Sequence, residues 1–169
     1  MGEIASGKSI VARHLIEKRE ASYYRFSDVL RDILERLHLP NTRENLQSLG
    51  VALREPFGKD ILANALKGDI GGDPADIIIL DGIRYADEFD MIKDMGGRII
   101  YVTAPAQTRF ERVLKRGTRG EDSITLEEFL GNEAKPTEIG IKELGDDADH
   151  IIENTGTMEE LLARVDEIL

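Results

Sequence analysis

The sequence predicts a three-layer α/β/α fold, a mostly parallel sheet with helices on both faces. Strand and helix patterns alternate along the chain, without repeats or low-complexity linkers. Ile77–Leu80 is an unbroken apolar run of β-branched character, as in a parallel strand buried on both faces. The chain also opens on a Gly-rich segment, Gly2–Ser9, that leads straight into a helical pattern.

That first helix is expected from Ser9 to about Lys18, followed by a short aromatic strand at Tyr23–Phe26, with Tyr23 and Tyr24 as core and edge residues. Ser27 stands at an N-cap position ahead of Val29, Leu30, Ile33, Leu34 and Leu37 at helical spacing, and Pro40 ends that helix. Thr42 caps the next one, which continues past Gly50, breaks near Pro56–Gly58 and resumes to Leu66. Gly68–Pro74 reads as loop before the strand at Ile77–Leu80. A helix ending at Gly96–Gly97 precedes a second buried strand at Arg98–Val102, and a further helix spans about Pro105–Lys115. Thr125 with Glu128, and Thr157 with Glu160, have capping-box spacing. His150–Glu153 is the last strand candidate, and the acidic stretch Glu143–Asp149 before it reads as a solvated helix end.

The 169 residues fit one domain able to bury a core without staples. With 41% apolar residues, 16 Gly and only 5 Pro, collagen-like, Pro-rich and largely disordered chains are excluded. The lack of Cys rules out a disulfide framework and a thiolate metal site. Without an apolar run of membrane-spanning length or a signal region, the expectation is a cytoplasmic protein that does not engage membranes. The formal charge of −11, from 22 basic and 33 acidic side chains, repels nucleic acid. A local basic cluster still serves a small phosphorylated ligand, because the distant field is screened beyond ~8–10 Å.

Gly2-Glu3-Ile4-Ala5-Ser6-Gly7-Lys8-Ser9 fits G-x-x-x-x-G-K-[ST], the phosphate-binding P-loop. Its glycines let backbone N–H groups turn inward around phosphate oxygens; Lys8 supplies charge to the β- and γ-phosphates, and the Ser9 hydroxyl can hold Mg²⁺. The following helix, with Ile10 in its first turn, adds a positive N-terminal dipole. Met1, Gly2 and Ser6 also match a myristoylation pattern, but a lipid at Gly2 would lie where the phosphates must. A P-loop normally follows a strand in the middle of the sheet, whereas only Met1 precedes it here, so the strand ahead of the loop is expected to be missing.

Three further groups carry candidate chemistry. Asp81-Gly82-Ile83-Arg84 follows the buried strand, where Asp81 can orient Mg²⁺ through water and Arg84 can grip a phosphate; the alternative is a turn in which Asp81 caps a helix. In the series Arg109, Arg112, Arg116 and Arg119, Arg112 and Arg116 share one face at a helix end. The Gly-punctuated Arg116–Ser123 has the composition of a closing flap. Arg109 reads as part of a solvated helix face paired with Glu111. Asp28, just past the aromatic strand, can accept a hydroxyl proton or favour its helix dipole, with Arg31 and Arg54 placed to hold an acceptor phosphate. His14, His38 and His150 lack ligand spacing, and Asn154-Thr155-Gly156-Thr157 is either a base-contacting loop or a plain turn.

On GEIASGKS, FSDVLRDIL, ILDGIR, RFERVLKRG and ADHIIENTGTMEELLARV, nearly the whole chain resembles the nucleoside monophosphate kinase-like P-loop kinases: adenylate kinase relatives, deoxynucleoside monophosphate kinases and dephospho-coenzyme A kinases. The resemblance implies a single P-loop kinase domain over residues 1–169, with a helical acceptor region at about 27–70 and a lid at about 116–135. It implies ATP contacts at Gly2, Ile4, Ala5, Ser6, Gly7, Lys8, Ser9 and Ile10, with Arg112 near the adenine and Arg116 reaching the phosphates. Arg31, Arg54 and Arg84 would hold the acceptor phosphate, and Asp28 matches the acidic acceptor-side position of dephospho-coenzyme A kinases. Lys8, Asp28, Arg84 and Arg116 are the catalytic candidates, and Ser9 and Asp81 the Mg²⁺ candidates. The implied activity is transfer of the γ-phosphate of ATP to a nucleoside or deoxynucleoside monophosphate, by a monomer or weak homo-oligomer. The alternatives are the ribose hydroxyl of dephospho-coenzyme A as acceptor, or a nucleotide-binding regulator without turnover.

Overall fold

The computed structural model describes residues 1–116 and 124–169. Its elements run α1 (Lys8–Arg19), β1 (Ser22–Arg25), α2 (Asp28–Arg36), α3 (Arg43–Phe57), α4 (Ile61–Ile70), β2 (Ile78–Asp81) and α5 (Ala86–Asp94). They continue with β3 (Ile100–Thr103), α6 (Ala106–Arg116), α7 (Leu126–Glu133), α8 (Pro136–Asp146), β4 (His150–Glu153) and α9 (Met158–Ile168). Arg119 and most of the Arg116–Ser123 segment lie outside the described residues.

The caps at Thr42, Thr125 and Thr157 fall where expected, whereas Ser27 stands ahead of α2 without a side-chain cap bond. The Thr42 hydroxyl accepts from the Asn45 N–H, and both capping boxes, Thr125 with Glu128 and Thr157 with Glu160, are formed. The break between α3 and α4 lies at Gly58, whose φ of 104° a side chain would resist. The first three strands are displaced from their expected bounds because pairing decides where a strand is counted: Arg25 lies opposite Asp81, and Thr103 opposite Glu153. Four local readings need correcting, the first being that α4 runs past Leu66 to Ile70, into the Gly68–Pro74 stretch expected as loop. Tyr23 and Tyr24 are not merely packing residues, since their hydroxyls donate to Asp81 and Asp73 at 2.7 and 2.6 Å. Arg109 is buried at 5% exposure, where it donates to the Ala104 carbonyl and pairs with Glu133, not Glu111. Asp149 is not only a solvated charge, because it accepts from the Ile99 N–H at 2.7 Å.

β1 and β2 pair in parallel, as do β3 and β4. One apolar cluster joins Phe26, Leu66, Ile70, Phe89, Ile92 and Ile99 with β2; another joins Val11 and Leu15 of α1 to Val102, Ile152, Leu161 and Val165. Helices thus cover both faces of the strands, the three-layer arrangement. Between β2 and β3 lies a cavity of about 650 Å³, lined by Ile77–Asp81 on one side and Ile99, Ile100 and Val102 on the other. Met1 enters one end of it. Its N–H donates to the Ile100 carbonyl at 2.7 Å and its carbonyl accepts from the Val102 N–H at 3.0 Å, the beginning of a parallel ladder. This slot is the mid-sheet position expected for the strand ahead of the loop.

A five-residue β-branched segment joined ahead of Met1 is therefore expected to fill the slot. Each new backbone hydrogen bond contributes ~1 kcal/mol net, and each kcal/mol moves Tm by about 2–4 °C at this size, so the melt should rise by more than ~10 °C. Thermal melts of the two chains, followed by circular dichroism, provide the check. An unchanged Tm would show that the slot does not accept a strand.

Candidate active site

The site is built on the loop Gly2–Gly7, which joins the end of the slot to α1. Two glycines are demanded by space. A Cβ on Gly2 would lie 2.1 Å from the Val102 carbonyl oxygen, and one on Gly7 would lie 2.4 Å from Asn154 Nδ2. Gly2, Ala5 and Gly7 all have positive φ (150°, 60° and 114°), which turns successive peptide units in alternate directions.

Distant side chains hold the loop's carbonyls. Arg109 Nη1 donates to Ile4 O at 3.4 Å, and Arg112 Nη1 donates to Ala5 O and Ser6 O, both at 3.4 Å. Asn154 Nδ2, in a buried position, donates to Ser6 O at 2.8 Å, while Arg112 Nη2 donates to Asn154 O at 2.9 Å. The Glu3 carboxylate accepts from Tyr101 Oη and Thr103 Oγ1 at 2.7 and 3.0 Å. With its carbonyls engaged from outside, the loop can present N–H groups inward to an anion. Ile10 donates its N–H to Gly7 O at 2.9 Å and Ser9 is exposed in the same first turn of α1.

Lys8 folds back onto Glu3 O at 3.1 Å. Burial pulls its ammonium below the ordinary lysine value, and the nearby Asp81 carboxylate pulls it back up; Arg84, Glu138 and Glu3 are its other charged neighbours. The loop lysine and the turn after β2 thus share one electrostatic site. Asp81, at the end of β2, accepts from Tyr23 Oη, and burial together with that bond raises the phenol far above its ordinary value.

At the start of α2, Asp28 accepts from the Arg25 N–H at 2.9 Å and Arg25 Nε at 3.0 Å, with Arg31 Nε 3.9 Å away. Arg54 is engaged more fully: it bonds Glu88 at 2.7 Å and lies 4.0 Å over the Tyr85 ring. The second Glu88 oxygen accepts from the Arg84 N–H at 2.8 Å, so Arg54 fastens the turn that carries Arg84. The Arg84 guanidinium pairs with Glu138, which also accepts from Arg43 Nη2 at 2.6 Å. Arg116 is exposed at the end of α6, and Arg119 lies outside the described residues.

Arg43, Glu88 and Glu138 were not singled out by the sequence, and Asn154, read there only as part of a base-contacting loop or a plain turn, tethers the phosphate loop at Ser6 O. Asn154 offered a weak signal, a polar residue between an apolar strand and a Gly. Glu138 offered none, since Lys135 and Lys142 at helical spacing make it look like a surface residue. The donors suit Mg²⁺: the Ser9 hydroxyl and the Asp81 carboxylate are hard oxygen ligands, and this ion keeps several waters of its own.

A three-layer parallel fold with this loop at the carboxyl ends of its strands defines a P-loop protein of the nucleotide kinase-like class. Residues 1–133 match the family described as AAA domain, and the chain belongs to that family and to the UPF0200 proteins. It is 31% identical to the UPF0200 protein of Hyperthermus butylicus, over 99% of this chain and 90% of that one. It is 35% identical to that of Aeropyrum pernix, over 92% and 82% of the two chains. Among solved structures it is similar in fold to shikimate kinase from Bacteroides thetaiotaomicron, with a TM-score of 0.63, 13% identity and 99% and 94% coverage. Dephospho-CoA kinase from Campylobacter jejuni is similar too, with a TM-score of 0.53, 15% identity and 99% and 92% coverage. Among the described residues, no helix is long and apolar enough to cross a membrane.

Asn154→Ala should remove the shorter of the two bonds to Ser6 O, leaving only the long one from Arg112, and weaken nucleotide binding by up to about tenfold, since weakening the satisfaction of a buried carbonyl costs ~1 kcal/mol or more. Calorimetric titration with a non-hydrolysable ATP analogue measures this; equal affinity would show that the loop holds its shape without the tether. Glu88 gives a pH test. Burial pushes its carboxyl up to about 7 from an ordinary 4.5, against the pull of the Arg84 N–H and the Arg54 charge. Folding therefore favours the protonated form, and this contribution is complete below pH 4.5 and lost as pH rises through about 7. Tm is expected to fall between these values, and Glu88→Gln should flatten the fall in a pH series of melts.

Proposed function

We propose that this protein is an ATP-dependent phosphotransferase that moves the γ-phosphate of ATP to a nucleoside or deoxynucleoside monophosphate. The observation that supports it most is the meeting of Lys8, Asp81 and Arg84 in one site beside the N-terminus of α1. Phosphoryl transfer asks mainly for positioning and positive charge, and these residues offer both. The loop N–H groups and Lys8 would hold the β- and γ-phosphates, and Arg112 would lie against the nucleotide from the Asn154 side. Ser9 and Asp81 would hold Mg²⁺, which when bound neutralises charge between the phosphates. Arg84 would grip the acceptor phosphate, with Arg54 and Glu88 keeping its turn in place, and Arg31 lies beside Asp28 on the same side. Arg116 would add charge near the transferred group. A regulator that only binds nucleotide has no need of this acceptor-side charge.

A second reading, phosphorylation of a ribose hydroxyl as in dephospho-coenzyme A, draws support from Asp28. Its carboxylate is fixed at the end of β1 by two bonds from Arg25, as a hydroxyl-activating group requires.

ATP consumption across a panel of monophosphates and dephospho-coenzyme A tests both. Lys8→Ala is expected to lower kcat by about 10²–10³ or more, the several kcal/mol of a preorganised charge. Turnover within about threefold of the parent would remove the P-loop lysine from the chemistry. Asp28→Asn separates the acceptors. A monophosphate nucleophile, with a second pKa of about 6, is already ionised near pH 7, so little change in kcat is expected. A hydroxyl acceptor would lose roughly 10²–10⁴.

A further inference from the structure

The alternation of side chains along β1 divides this short strand between two carboxylates. Ser22 and Tyr24 share one face, and both donate to Asp73, at 3.0 and 2.6 Å. Tyr23 and Arg25 share the other face. Arg25 lies opposite Asp81 in the parallel register, yet its guanidinium pairs with Asp28 at 3.0 Å and lies 5.8 Å over the Tyr23 ring. The bond to Asp81 comes instead from Tyr23, whose Oη donates to Oδ2 at 2.7 Å.

The choice of donor decides what Asp81 can do. A guanidinium bonded there would offset the charge of the carboxylate, whereas a phenol orients the group and leaves its negative charge in place. A carboxylate held through one oxygen presents the other in a set direction, as the outer partners of metal ligands commonly arrange. The Asp81 charge also acts on Lys8 of the phosphate loop, so the carboxylate stands where a cation on the β- and γ-phosphates would lie. Arg25 covers the phenol ring and is itself fixed by Asp28. Asp28, Arg25, Tyr23 and Asp81 thus form a continuous series from the start of α2 to the end of β2.

We propose that Tyr23 is a positioning residue for a divalent cation: its hydroxyl sets the Asp81 carboxylate toward the Mg²⁺ of a bound Mg-nucleotide. This rests on the phosphotransferase reading for the Mg-nucleotide, and adds to it a residue of the neighbouring strand that acts through Asp81.

Titrating AMP-PNP by calorimetry into the full chain, once with Mg²⁺ and once with EDTA, gives the factor by which the cation tightens nucleotide binding. Tyr23→Phe removes one oxygen and keeps the ring under Arg25. It is expected to lower that factor about tenfold, with the affinity in EDTA held within about twofold. Asp81→Ala should lose a similar factor. Adding Tyr23→Phe to it should change the factor no further, because the hydroxyl works only through that carboxylate. Tyr24→Phe loses a comparable bond on the opposite face and should match the parent. Equal factors in the parent and Tyr23→Phe, equal losses with and without Mg²⁺, or additive losses in the double variant each overturn the proposal. So does an undiminished factor in Asp81→Ala, or a parent whose affinity Mg²⁺ does not raise. The expected Tyr23→Phe response together with no ATP consumption on any acceptor would remove the phosphotransferase reading and leave the positioning role standing.

Discussion

The rest of this structure depends on how the carbonyls of Ile4, Ala5 and Ser6 are held. A loop that offers consecutive N–H groups to an anion must turn its carbonyls elsewhere, and a buried carbonyl without a donor is costly. Here the donors come from the far end of the chain: Arg109 and Arg112 of α6, and Asn154 just after β4. Arg112 also donates to Asn154 O, so the two tethers brace each other. Arg109 is in turn kept in place by Glu133 of α7 and lies over the Phe129 ring. The geometry of an eight-residue motif is thus set by residues more than a hundred positions away.

Charge is organised in the same local fashion. The chain carries a net −11, yet Lys8 shares its surroundings with Arg84, which is linked through Glu138 to Arg43 and through Glu88 to Arg54, while Arg112 reaches the loop carbonyls. Cations in partly buried places need partners: Glu88 holds Arg54 and the Arg84 N–H, Glu138 is shared by Arg43 and Arg84, Asp28 holds Arg25, and Asp81 takes the Tyr23 hydroxyl. The acidic surplus elsewhere is screened over the distances that separate it from these pairs.

The sheet sets the direction in which all of this points. In both strand pairs the chains run parallel, so Asp28 and Asp81 follow the carboxyl ends of β1 and β2, and Asn154 follows that of β4. Met1, pairing with Ile100 and Val102 at the end of the slot, aligns the start of the loop with those ends. The slot lies at mid-sheet and reaches Met1, Lys8 and Asp81 at the end where the loop begins.

By itself the sequence determined what depends on local rules. The loop motif, the capping boxes at Thr125 and Thr157, the break near Gly58 and the parallel character of Ile77–Leu80 all follow from spacing, propensity and backbone sterics within a few residues. The motif also located Lys8, and the position after a buried strand located Asp81 and Arg84. Only the tertiary structure decided the pairings. Arg109 looked solvated because Glu111 lies two residues away, but burial of α6 against α7 directs it to Glu133 and the loop carbonyls. Glu138 looked like a surface residue because two lysines share its helical face, yet folding carries it to Arg43 and Arg84, 95 and 54 positions distant. The physical reason is common to both. A local pattern records which partners a charge can reach along its own helix, while burial decides which of them, near or far in the chain, must satisfy it.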